Sequence, residues 1–324
     1  MTATTQIGIF GFGVVGQGLY DLLETYPNLN IRVKQIGIKD PQKERSLPDS
    51  AFTFERQTII QDPNISLIAE LTNDEEEGFE IVKEALLAGK QVVSANKKMI
   101  AENLGALIEL QRKQNQTLLY EAAVCGSIPI IRTLEDYFSY EPIHSLQGIF
   151  NGSSNYILSK IFNEQLDYQT ALTQAQEKGY AEADPTLDVG GYDAKYKLTI
   201  AASHAFGITV DPDSIATLGI HNLSSFDENQ ARQHGQKLKL LTKAVDTGGG
   251  RVSLLVAPEF VTEQSRLYTV DEEYNATLID APFSGPQTLI GQGAGGYPTG
   301  AAVLADVLAA SQGYQYRYQK TQLK

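Results

Sequence analysis

The sequence predicts an α/β protein in which a doubly wound parallel sheet is joined to a second domain of α+β type. Three observations carry that expectation. Over residues 6–120 short β-rich runs alternate with helical stretches, the pattern of a parallel sheet wound with helices on both faces. A glycine-rich corner follows the first of those runs, and from about residue 126 the regular alternation stops. The length of 324 residues exceeds one ordinary core and suits two.

Taken in order, residues 7–10 read as a buried strand, 14–25 as a helix and 31–38 as a second strand. Residues 67–71 and 91–94 are further strands with a helix over 79–88 between them, and 118–121 closes the series. The acidic run 74–77 reads as a solvated turn or a helix start. In the second domain, 143–150, 237–245 and 252–256 are expected strands, and 154–165, 168–178 and 193–206 expected helices. Together they suggest a mixed or antiparallel sheet. The three glycines 248–250 mark a hairpin loop. A glycine-rich stretch, 291–300, leads into a last helix from Pro298 to about residue 310, proline being a common first-turn residue.

Composition excludes several classes. Hydrophobic residues make up 42% of the chain, which argues for a packed core against disorder. A net charge of -13 disfavours nucleic acid or an anionic membrane as partner. One cysteine, Cys125, rules out an internal disulfide and a multi-cysteine zinc site. No basic-then-apolar leader opens the sequence and no apolar run suits a bilayer span, so a cytoplasmic location is expected.

Gly11-Phe12-Gly13-Val14-Val15-Gly16 follows the first strand and opens a helix. The first glycine allows a tight turn, the second lets backbone approach a pyrophosphate, and the third lets helix and strand pack closely. The diphosphate then meets the N–H groups of the helix N-terminus. This is the corner of a Rossmann-type dinucleotide-binding sheet, and NAD or NADP is the expected cofactor. At the end of the second strand an acid binds the ribose 2′-hydroxyl of NAD and a cation favours the 2′-phosphate of NADP. Lys39 and Asp40 offer both, with Lys43 and Arg45 close behind, so the preference stays open with a lean to NADP.

Chemistry concentrates in three further stretches. Ser94-Ala95-Asn96-Lys97 lies at a strand end, where ligands bind in such sheets. The loop from Gly179 to Asp188 gathers Glu182, Asp184 and Asp188 around Pro185. Just after it, Asp193 and Lys197 lie one turn apart on one helix face. Alone, that spacing is most simply a solvated ion pair. Here Leu198, Ala201, Ala202 and Ala205 leave the helix few charged positions, so the pair is expected to be buried and beside a ligand. A carboxylate orients an ammonium, and burial tunes proton affinity. His204, two turns on, reads as a core or helix-end histidine. Cys125 reads as a small packed side chain, since no histidine lies near it in sequence to activate a thiolate.

These residues resemble the homoserine dehydrogenase family. The likeness runs from Gly11 to Gly293-Ala294-Gly295-Gly296-Tyr297-Pro298-Thr299. Its most specific parts are Ser94-Ala95-Asn96-Lys97, Glu121-Ala122-Ala123-Val124, the string from Gly148 to Leu158, and the loop from Gly179 to Asp188 running into Asp193 and Lys197. The resemblance implies a nucleotide-binding domain built from both chain ends, 1–127 with a helix in 289–324. That domain would flank a catalytic and dimerisation domain, 128–288, in a homodimer. It implies NAD(P)H-dependent reduction of aspartate 4-semialdehyde to L-homoserine, on the way to threonine and methionine.

The resemblance further implies Lys197 as proton donor to the nascent alkoxide, with Asp193 as its partner. Glu182 would hold the substrate ammonium, Tyr180, Ser153 and Asp188 would line the pocket, and Lys97 would sit between nicotinamide and substrate. Thr72, Gly293 and Gly295 would touch the cofactor. A monovalent cation such as sodium would be held, mainly by carbonyls, at Glu121, Val124, Gly126 and Ile128, bracing the loop.

The sequence departs from the family at Cys125-Gly126-Ser127, where a glycine-rich run is usual, and at Thr72-Asn73-Asp74-Glu75, where glycines and a proline are more frequent. No stretch of regulatory size follows residue 310, so no dedicated threonine effector site is expected. Two rival readings are a phosphorylating semialdehyde dehydrogenase using Cys125 as nucleophile, and an inactive nucleotide-binding sensor.

Overall fold

The computed structural model describes residues 4–318. It divides into two compact units, residues 4–127 with 294–317, and residues 128–293 with Tyr318. The end of the expected C-terminal segment, 319–324, lies outside the described residues.

The first unit is built on six parallel strands: β1 (Thr5–Phe10), β2 (Ile31–Gly37), β3 (Phe52–Thr53), β4 (Leu67–Glu70), β5 (Gln91–Ser94) and β6 (Leu118–Leu119). Their order is β3-β2-β1-β4-β5-β6. Continuous apolar runs form these strands because both faces are covered; Ile7, Ile9, Leu67, Ile68, Val92 and Val93 are all fully buried. The strand order reverses between β1 and β4, so their C-terminal ends open a crevice suited to a ligand.

The acidic run 74–77 is a helix start. Asp74 caps the Glu75–Leu87 helix by accepting from the Glu77 N–H, and three glutamates favour the positive end of its dipole. That helix therefore begins earlier than the apolar periodicity suggests. The sequence reading also missed the Lys97–Gln114 helix, although Ile100, Leu104, Leu107 and Gln111 share its buried face. The expected strand over 118–121 stops at Leu119, because Glu121–Ala123 folds into a single 3-10 turn. The Gly296–Ser311 helix packs against the Val14–Thr25 helix. Contact is so close that a Cβ on Gly18 would lie 2.3 Å from the Gly296 carbonyl oxygen.

The second unit holds β7 (Ser145–Ile149), β8 (Ala216–Thr217), β9 (Lys237–Gly248), β10 (Arg251–Val261), β11 (Tyr274–Asp280) and β12 (Gln287–Gln292), in the order β12-β11-β7-β9-β10-β8. All pairings are antiparallel except β10 with β8. The helices Gly152–Glu164 and Tyr192–Phe206 pack on this sheet. Ile149, Leu241, Val261, Leu267, Val270 and Ala276 form one of its buried clusters.

β11 and β12 were not anticipated, and their presence corrects the expected boundary at 289. Residues up to Gln292 are committed to β12, so the returning segment starts at Ala294. Gly293 stays with the second unit, and its Cα packs against the Asn275 side chain.

Candidate active site

The Tyr192–Phe206 helix carries the lysine–aspartate pair. Its first turn holds Asp193, where the helix dipole favours a carboxylate. One turn later Lys197 Nζ donates to Asp193 Oδ2 at 2.7 Å, and both residues are only 6% exposed. Because Leu198, Ala201, Ala202 and Ala205 are buried beside them, this is an interior ion pair and not the solvated one that i,i+4 spacing usually signals. The ammonium also donates to the Phe150 carbonyl at 2.7 Å.

Asn151 organises this centre, and sequence reasoning did not single it out. Its Oδ1 accepts from the Ser154 N–H, capping the Gly152–Glu164 helix. Its Nδ2 donates to Asp188 Oδ1 at 2.7 Å and to Asp193 Oδ2 at 2.9 Å. One buried amide thus joins the end of β7, the polar loop and the ion pair. Its capping position was legible in Asn151-Gly152-Ser153-Ser154, whereas its contacts 37 and 42 residues away were not.

Of the expected substrate residues, the structure brings Ser153, Tyr180 and Asp188 into this neighbourhood. Ser153 donates its hydroxyl to the Tyr180 carbonyl. The Tyr180 ring lies 4.9 Å from that of Tyr156. Burial raises the affinity of the Tyr180 phenol for its proton, and the negative charge of Glu273 adds to it. Glu182 differs: it is exposed, and among the described residues the engaged atom is its carbonyl oxygen, which accepts from Gln176.

In the first unit, Gly11 has φ of +91°, and a Cβ there would sit 2.5 Å from the Leu71 carbonyl oxygen. Gly13 has open space where a side chain would be, directly before the Val14–Thr25 helix. A bare backbone turn facing helix N–H groups fits a diphosphate. Phe12 is buried and packs edge-on against Phe52 and Tyr20, while Val14 is exposed and Gly16 buried. Val15 is half-buried.

Lys39 is ion-paired to Asp74 at 3.0 Å and to Glu77. Asp40 caps its own turn through the Gln42 N–H. Thr72 donates its N–H and hydroxyl to Glu70. Lys97, half-buried, is the first residue of a helix capped by Asn96, and Gly295 precedes the returning helix at φ of +117°.

Around the expected cation ligands, the Glu121 N–H donates to Asp306 at 2.7 Å. After Val124, Cys125 and Gly126 both take positive φ, and Ile128 opens the second unit. Among the described residues no group of three or more His, Cys, Asp or Glu side chains is gathered to hold a metal. His204 is a core histidine, fully buried with Nδ1 2.6 Å from Glu135. Cys125 is fully buried, which leaves the nucleophile reading unfavoured. Among the described residues no helix is long and apolar enough to cross a membrane.

A glycine-lined turn opening a helix on a parallel sheet, and separately a buried lysine–aspartate pair, are the parts expected of a nicotinamide-dependent dehydrogenase. Comparison with known proteins agrees. Residues 11–121 match the model "Homoserine dehydrogenase, NAD binding domain", and residues 129–308 match "Homoserine dehydrogenase". The homoserine dehydrogenase of Lactococcus lactis is 36% identical, over 94% of this chain and 74% of its own length. The crystal structure of that of Thiobacillus denitrificans superposes with a TM-score of 0.91 at 34% identity, covering 95% of this chain and 73% of the other. A hyperthermophilic archaeal homoserine dehydrogenase in complex with NADPH shares the fold, with a TM-score of 0.83 at 24% identity over 96% of this chain and 99% of its own. The chain belongs to the homoserine dehydrogenase family. It is an oxidoreductase that uses NAD(P) to interconvert L-homoserine and aspartate 4-semialdehyde.

Proposed function

We propose that Lys197 is the general acid and base of this reaction. When bound, the reduced nicotinamide supplies hydride to the aldehyde carbon. Negative charge then grows on the aldehyde oxygen, and Lys197 delivers a proton there. The observation that carries this reading is the valence of the ammonium. It has three N–H donors, of which two are spent on Asp193 and the Phe150 carbonyl. Among the described residues the third meets no acceptor, which leaves it for a ligand. Asp193 orients the ammonium, and Asn151 holds Asp193.

Glu182 is proposed to hold the substrate ammonium, its exposure leaving the carboxylate available. Tyr180, Ser153 and Asp188 shape the pocket. Lys97 and Thr72 stand at the cofactor, with Gly11, Gly13 and the following helix start cradling its diphosphate, and Gly295 nearby in the returning segment.

The finer cofactor reading is a mild preference for NADP, met by Lys39 with Lys43 and Arg45 behind it. Because Lys39 is already shared by Asp74 and Glu77, a 2′-phosphate must compete for it and the preference is small. A monovalent cation at Glu121, Val124, Gly126 and Ile128 would rest on carbonyls, in keeping with the irregular backbone at Cys125 and Gly126. A cytoplasmic homodimer is the assembly proposed; exposed Ile290 on the edge strand β12 supports a partner on the second unit. The deciding experiment follows reduced-cofactor absorbance with L-homoserine and each of NAD and NADP. Turnover with neither would sink the reading.

A further inference from the structure

β4 is apolar until its last residue, Glu70, which is fully buried at the C-terminal end of the sheet. Its Oε1 accepts the Thr72 N–H at 2.9 Å and the Thr72 hydroxyl at 2.5 Å, and its Oε2 accepts the Ser94 hydroxyl at 2.7 Å. Ser94 in turn accepts the Asn96 N–H at 3.1 Å, and Asn96 Nδ2 donates to the Asp74 carbonyl at 3.0 Å. That carbonyl also lies 3.4 Å from the Thr72 hydroxyl. The bonds close a ring that ties the loop after β4 to the loop after β5, with Gly78 packed directly over it.

Among the described residues no ion pair reaches Glu70. Burial pushes its carboxyl above the usual range, while the Ser94, Thr72 and Asn96 hydrogen bonds work against that. A buried carboxyl without a cation is costly, and a well-packed apolar residue would serve stability better. The position explains what is gained. The loops it joins carry Thr72 and, through the Asn96 cap, Lys97. The neighbouring Leu71 carbonyl abuts Gly11 of the diphosphate turn.

We propose that Glu70 is a positioning residue, fixing Thr72 and Lys97 for the cofactor by locking the ends of β4 and β5 in one hydrogen-bonded ring. This rests on the reading that places Lys97 and Thr72 at the cofactor.

The test compares Glu70→Ala, Glu70→Gln, Lys97→Ala and the Glu70→Ala/Lys97→Ala double variant. Melting temperature, NADPH dissociation constant, kcat and both KM values are measured for each. Glu70→Ala should lose on the order of 10²-fold in kcat/KM, as misplacement of a reacting group does, and bind NADPH more weakly. Glu70→Gln keeps an acceptor for Thr72 and a partner for Ser94, so it should recover to within about threefold of the wild type. The double variant should be no slower than the slower single one, because both act on one element. Losses that multiply, or a folded Glu70→Ala enzyme with wild-type kinetics and NADPH affinity, would overturn the inference. If Glu70→Ala does not fold, Ser94→Ala opens the same ring at one bond and is judged by the same criteria. Wild-type kinetics in Lys97→Ala would instead refute the reading of Lys97. Glu70 would then be judged on NADPH affinity alone, and no change in it overturns the inference.

Discussion

Replacing Lys197 with alanine tests the proton assignment, and the structure sets the size of two separate effects. The first is on stability. The ammonium is lost from a site only 6% exposed, where it bonds Asp193 and the Phe150 carbonyl. Stripping one partner from a buried ion pair costs about 3–5 kcal/mol. Asn151 still holds the same Asp193 oxygen at 2.9 Å, so the lower end, about 3 kcal/mol, is expected. Asp193→Asn in the same chain should return much of that loss by removing the uncompensated charge. The second effect is on rate. Removing a positioned general acid lowers kcat by about 10²–10⁴ while cofactor binding stays largely intact. Thermal melts, NADPH titration and initial rates separate the two. A folded Lys197→Ala enzyme within about threefold of wild-type kcat would move the acid to Lys97 or a bound water.

Three other expectations follow from the same geometry. Glu182→Gln should raise the KM for homoserine about tenfold with little change in kcat, as loss of a charge-assisted contact made equally in ground and transition states does; an unchanged KM removes Glu182 from the substrate. Lys39→Ala should weaken NADP relative to NAD by less than about 1 kcal/mol, since its ammonium is exposed and shared with Asp74 and Glu77. Equal weakening of the two cofactors in titrations would make Lys39 structural only. Asp271 should govern acid stability. Burial works to raise its carboxyl, but hydrogen bonds from Lys237 and Lys239, both at 2.7 Å, outweigh it and hold it at about 2. A depressed carboxylate contributes stability above its unfolded value near 3.9 and loses it as pH falls through the folded value. Melting temperatures at pH 7 and pH 3 should therefore differ less in Asp271→Asn than in the wild type, and an equal difference refutes the role.

Much of the parallel sheet was readable because its strands are buried on both faces and its helices are not. The elements missed had their signal diluted. The Lys97–Gln114 helix alternates its buried positions with many polar ones, and β11 and β12 lie among turns and glycines. Lys197 and Asp193 were visible through helical spacing, which is local. Asn151 and Glu70 were not, because what distinguishes them is contact between remote segments. Asn151 reads as an ordinary cap and Glu70 as the end of an apolar run, although a lone acid closing a buried strand was itself a signal.

The contacts of Lys197 also say why it suits the proton better than Lys97. Before transfer the ammonium has three N–H donors, two of them satisfied by Asp193 and Phe150. After transfer the neutral amine keeps two, and the same two acceptors still satisfy them. Giving up the third proton therefore breaks no hydrogen bond within the protein. Asp193 loses its countercharge at that moment, but the Asn151 amide continues to donate to the same oxygen. Its helix N-terminus continues to favour the negative charge. Lys97 stands at the first turn of its helix, where the dipole opposes a cation. On the proposed role, one proton would leave Lys197 and return with the surrounding bonds unchanged, which is what a reversible reduction requires of its acid.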